Sequence, residues 1–127
     1  MLRLHDYILS PEAYAVRLML ALLDLPHEAI AVDAYPGSAD VPVLIDGDTE
    51  LRDPGLILTW LARAHGPLWL PGEQAADISH WLAFAMLDLS ALNAARRITV
   101  LGQPGDLDAL QAKGRTALRK LEDHLTM

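Results

Sequence analysis

Apolar positions along the chain change their spacing in a definite order, and that order predicts the elements. Leu2, Leu4 and Asp6 open a short alternating run of the kind a half-buried strand carries. Ser10-Pro11 then begins a segment in which Val16, Leu20 and Leu23 recur at helical spacing, and Leu25-Pro26 ends it. HEAIAVD at 27–33 alternates again, and VPVLIDGDTEL at 41–51 holds two apolar runs separated by Asp46-Gly47-Asp48, a hairpin signal. Asp53-Pro54 caps a further helix carrying Leu56, Ile57, Trp60 and Leu61 as far as Gly66-Pro67. The predicted order is therefore β, α, β, β, β, α.

Beyond the hinge-like PLWLPGEQ the period is helical throughout. Ile78, Trp81, Leu82, Ala85, Leu89 and Leu92 form one long amphipathic stripe, interrupted by Gly102-Gln103-Pro104-Gly105. Leu107, Leu110, Leu118, Leu121 and Leu125 form a second. The division expected is an α+β domain over 1–66 followed by an all-α pair of long helices over 67–127.

Composition narrows the partners. Of the 127 residues, 52% are hydrophobic, high for a small water-soluble chain, so surplus apolar surface is expected to meet a second copy as a homo-oligomer, most simply a dimer. The longest apolar runs, LMLALL at 18–23 and WLAFAML at 81–87, are too short to span a bilayer, and no basic stretch leads into an apolar one at the N-terminus. A cytoplasmic protein with no membrane partner is expected. Residues 1–66 hold ten acidic side chains against four arginines, a balance that repels phosphate backbones and excludes nucleic acid as a natural partner. The chain has no Cys, hence neither a disulfide nor a protein thiol nucleophile.

Local chemistry gives Ser10 a first role. Ser-Pro-Glu at 10–12 places a preferred N-cap, a proline at the first helical position and an acid in the first turn. Pro42 suits the first residue of a strand, where a trans bond is the ordinary state. Tyr7 and Tyr14 flank Ser10 and read as packing residues with a polar tip. Asp77 and His80 stand three apart on a helix, but two ligands are too few for a metal, and no metal site is expected. Arg96 and Arg97 late on the long helix read as one helix-end cation and one solvated charge, and the five histidines mark no general base.

Taken in order, S-x-x-x-Y-x-V-R-L from Ser10 to Leu18, LDLPHE at 23–28, VPVL at 41–44, DGD at 46–48, TWLARAHGP at 59–67 and LPGEQ at 70–74 resemble the glutathione transferase superfamily over nearly the whole chain. The resemblance implies a thioredoxin-like N-terminal domain followed by a helical domain, here expected to be truncated because family members continue through further helices after a segment like KLEDHL. It implies that Ser10 hydrogen-bonds the sulfur of glutathione and favours its thiolate, that the Val41-Pro42 bond is cis and aligns the cysteinyl part, and that Asp53 meets the amino end. Glutathione would be the co-substrate and a small electrophile the second substrate. Two features depart from the family: Pro54 stands where a Ser usually holds the γ-glutamyl carboxylate, and only AYPGSAD at 34–40 lies where a helix and longer loop are usual.

Two functions follow, of different classes. One is a serine-type glutathione transferase. The other is a non-catalytic dimerisation or binding module that keeps the fold without the site, with Trp81, Phe84 and Met86 spread around their helix as an interface requires.

Overall fold

A computed structural model describes residues 1–32, 41–66 and 70–126, so residues 33–40, which include the AYPGSAD stretch and the end of HEAIAVD, the PLW of the hinge-like stretch and Met127 lie outside the described residues. The chain resolves into two compact units, Met1–Ala75 and Ala76–Met127.

In the first unit the order is β1 (Leu2–Asp6), α1 (Pro11–Leu22), β2 (His27–Ala31), β3 (Val43–Asp46), β4 (Thr49–Leu51) and α2 (Pro54–His65). The four strands form one mixed sheet in the order β2-β1-β3-β4. β1 pairs parallel with β2 and antiparallel with β3, and β3 pairs antiparallel with β4. This is the thioredoxin-like arrangement that the sequence predicts, with a helical part following it.

Alternation explains the core. Leu2 and Leu4 point to one face of β1, and Leu44 sits opposite Leu4 in the antiparallel register. Against that face pack Val16 and Leu20 of α1 with Ile57 and Leu61 of α2, a cluster of seven buried apolar side chains with Leu2, Leu4 and Leu44. Burial of each such side chain stabilises by roughly 1.5–3 kcal/mol, so this cluster outweighs any single surface contact in the unit.

Local chemistry sets the boundaries. After Leu22 the N–H of Leu25 bonds the Leu20 carbonyl at 3.0 Å and that of Asp24 bonds Ala21 at 3.1 Å, closing a Schellman motif. Asp24 supplies its left-handed residue at φ 52°, a conformation that aspartate tolerates. Between β3 and β4 the register leaves a two-residue loop, Gly47-Asp48, with Gly47 at φ 58°, the positive value that the first position of a type II′ turn demands.

The second unit consists of α3, which begins at Ala75 and runs to Leu87, α4 (Ser90–Leu101) and α5 (Leu107–Leu125). The first amphipathic stripe thus runs through two helices instead of one. The break lies at Asp88-Leu89, where both N–H groups bond the Phe84 carbonyl, at 2.8 and 3.2 Å, so the ladder slips by one residue. Ser90 reinforces it, its hydroxyl donating to the Leu87 carbonyl in place of the backbone. α4 ends at Gly102 in the left-handed conformation, and Asp106 caps α5 by accepting the Ala109 N–H at 3.1 Å. Among the described residues no helix is long and apolar enough to cross a membrane.

Candidate functional site

Sheet register decides which of the sequence-predicted residues come together. The C-terminal end of β1 lies beside the start of β3, because His5 pairs with Val43. Leu51, the last residue of β4, pairs with Leu44, so the chain leaving β4 toward Asp53 emerges at that same end. Ser10 follows β1, Val41-Pro42 precedes β3 and Asp53 follows β4, and all three therefore fall at one end of the sheet, where α1 and α2 also begin. Two helix N-termini at the carboxyl end of a sheet give partial positive charge and outward N–H groups, the setting in which open α/β folds hold anionic ligands.

Ser10 is held from three directions. Its N–H donates to the Tyr7 carbonyl at 2.9 Å, closing the turn after β1. Its Oγ accepts the Ala13 N–H at 3.1 Å as the N-cap of α1. Its hydroxyl donates to Glu12 Oε2 at 3.3 Å. Ser10 is only 8% exposed, which makes it the buried polar residue of this region. Capping is thus an observed role, and it leaves the hydroxyl proton facing an acceptor.

The Val41-Pro42 peptide bond is cis, as the family resemblance implies, and Pro42 is fully buried. Asp53 is exposed and accepts the Leu56 N–H through Oδ1 at 2.8 Å as the N-cap of α2. Pro54 occupies the first position of α2 and contributes no N–H. One Asp53 oxygen therefore serves the helix.

The neighbouring side chains arrange themselves around the turn. Asp6, the last residue of β1, receives an ion pair from Arg17 of α1, while its carbonyl accepts the Val32 N–H at 2.7 Å. The Arg17 guanidinium also lies 5.5 Å from the centre of the Tyr14 ring. Tyr14 is 55% exposed, whereas Tyr7 is buried. A cavity of about 300 Å³ at the carboxyl ends of β1 and β2 is lined by Asp6, Tyr7, Ile8, Ala29, Ala31 and Val32. Ser10, Val41, Pro42 and Asp53 do not line it.

Sequence reasoning missed Glu12 as a partner of Ser10 and the Asp6–Arg17 pair. The first had a signal, an acid two residues after a capping serine. The second had none, because the partners stand eleven residues apart on different elements. In the second unit, the His80 ring lies edge-on to Trp81 at 5.3 Å, and Arg96 and Arg97 sit on α4.

Comparison with solved structures gives a consistent result. The fold matches a possible glutathione S-transferase from Rhodopseudomonas palustris with a TM-score of 0.86 and 26% identity, covering 99% of this chain and 72% of that one. It matches a glutathione S-transferase from Pseudomonas fluorescens with a TM-score of 0.85 and 27% identity over 98% of this chain and 72% of that one. Human glutathione-S-transferase T1-1 matches with a TM-score of 0.78 and 28% identity over 98% of this chain but 62% of its own, so the chain spans less than two thirds of that enzyme. Neither a family model nor a curated relative matches the sequence.

Proposed function

Starting from a chain with the fold of the glutathione transferase superfamily, we propose that it binds glutathione at the carboxyl end of its sheet and conjugates it to a small electrophile. In this reading Ser10 donates its hydroxyl proton to the glutathione sulfur, Val41 and Pro42 align the cysteinyl part, and Asp53 meets the amino group. The observation that carries it is the convergence of these positions with the N-termini of α1 and α2, set by the pairings of His5 with Val43 and Leu44 with Leu51.

The chemistry asks little of the protein beyond position and a stabilised anion. A free thiol has a pKa of about 8.5, which falls when the thiolate gains a donor and a helix N-terminus. The thiolate then attacks the electrophilic carbon, a carbon–sulfur bond forms, and the leaving group departs with its electron pair. The thiol proton passes to solvent. Calorimetric titration with glutathione tests the reading; heat of binding that Ser10→Ala and Asp53→Asn both diminish supports it, and an absence of heat contradicts it.

One observation favours the second reading, a binding module without catalysis. Pro54 withdraws a backbone donor where a ligand carboxylate would bind, and Asp53 already serves as a cap. Both readings include self-association in the cytoplasm, motivated by exposed apolar side chains such as Leu87 at 71% and Leu125 at 72%.

A further inference from the structure

We infer that Asp6 and Arg17 are positioning residues for Ser10, their ion pair fixing the angle at which its hydroxyl meets a bound sulfur; the inference rests on the serine-thiolate reading proposed above. Ser10 moves as part of α1. Its Oγ accepts the Ala13 N–H at 3.1 Å and its carbonyl accepts the Tyr14 N–H at 2.9 Å, so wherever the first turn of the helix goes the hydroxyl goes with it. Pro42 instead belongs with β3, which lies beside β1 through the pairing of His5 with Val43. The geometry between the two halves of the site therefore depends on how α1 is seated against β1.

Two kinds of contact seat it. Val16 and Leu20 pack with Leu2, Leu4 and Leu44, and such apolar burial is non-directional: it holds the helix down without fixing its rotation. A working site needs its groups held to within about 0.5 Å and 10–20°. The Arg17 guanidinium supplies a directional contact, an ion pair with the Asp6 carboxylate across the turn between β1 and α1. Both partners are themselves held. Asp6 ends β1, its carbonyl accepts the Val32 N–H at 2.7 Å and its side chain is 12% exposed, while Arg17, at 24%, lies 5.5 Å from the centre of the Tyr14 ring. A pair this sheltered is screened little by salt, and partly buried pairs speak more for geometry than for stability. It bridges eleven positions of sequence and closes the segment that carries Ser10 into a loop with both ends fixed.

Asp6→Asn combined with Arg17→Gln removes the tie while leaving the net charge of the pair unchanged. The pKa of bound glutathione is read from the ultraviolet absorbance of its thiolate, with S-methylglutathione as the thiol-free blank. The double variant is expected to raise that pKa by about half a unit, a roughly threefold loss of thiolate at lower pH. In the Ser10→Ala background the same two changes should leave it where Ser10→Ala alone puts it. Urea unfolding of the same proteins reads the loss of stability separately, and that loss is expected in both backgrounds alike. Where the double variant does not fold, Arg17→Lys, which keeps the charge but shortens the reach, should give a smaller rise in its place. An equal rise in both backgrounds, or no rise in the folded variant that keeps Ser10, overturns the inference. Failure of the serine-thiolate reading looks different: Ser10→Ala alone then leaves the bound thiol's pKa unmoved, or glutathione does not bind at all, and the inference falls with it.

Discussion

Ser10 accepts the Ala13 N–H at 3.1 Å while its own proton faces Glu12, so one side chain closes the first turn of α1 and presents a donor at the end of the sheet. The cap uses a lone pair of the hydroxyl oxygen, so it does not compete for the proton.

The capping role predicts a stability change separate from any ligand. Ser10→Ala should lower unfolding free energy by about 1 kcal/mol, and Ser10→Gly by only a few tenths, as exchange of an N-cap residue does. Urea unfolding midpoints read both. Equal losses for the two variants would show that the cap is not what Ser10 contributes.

Pro54 gives a prediction in which stability and affinity move in opposite directions. Pro54→Ser restores an N–H and a hydroxyl at the start of α2, while the Asp53 cap on Leu56 stays. A hydrogen bond to a charged group is worth about 1.5–3 kcal/mol, so glutathione affinity should rise at least tenfold. Loss of the ring frees the unfolded chain and should lower stability by roughly 0.4–1 kcal/mol. Calorimetry and urea unfolding on the same variant check the two signs.

Packing of α4 on α5 turns on Gly114. A Cβ there would run into Leu92 Cδ2 and lie 2.9 Å from its Cγ. Gly114→Ala gains about 1 kcal/mol of helix propensity, but overpacking costs about 1–3 kcal/mol, and with two Leu92 atoms in the way the net sign should be destabilising. Leu92→Ala added to it should recover more than the two single effects predict, measured as a coupling in a double-mutant cycle.

Self-association is checked by sedimentation or light scattering across a dilution series. The exposed side chains of Leu87, Val100, Leu118 and Leu125 in the second unit should give a dimer that dissociates on dilution. A monomer at every concentration would leave those side chains without the role assigned to them.

Much of the fold was legible because its signals are local. Strand alternation at Leu2 and Leu4, the Ser10 and Asp53 caps with their following prolines, and the Gly47 turn each announce an element within a few residues. The split of the long helical stripe was not, since nothing in Asp88-Leu89-Ser90 interrupts the apolar period; the break comes from a slipped hydrogen bond on the Phe84 carbonyl and the Ser90 hydroxyl. Pairings between elements were equally hidden. The tilted contact of the Trp81 and His124 rings, with centres 4.2 Å apart, joins residues of α3 and α5 that no spacing rule connects. At the candidate site the positions could be chosen in sequence, but their meeting at one sheet end is a property of the register.

Thermal unfolding with and without glutathione tests the central claim most directly. A ligand at a hundredfold excess over its Kd adds about 2.7 kcal/mol, which for a chain of this size raises Tm by on the order of 10 °C. A rise of that order with millimolar glutathione, diminished by Ser10→Ala beyond its effect on the free protein, is the outcome expected. An unchanged Tm at millimolar glutathione would contradict a glutathione site at this end of the sheet.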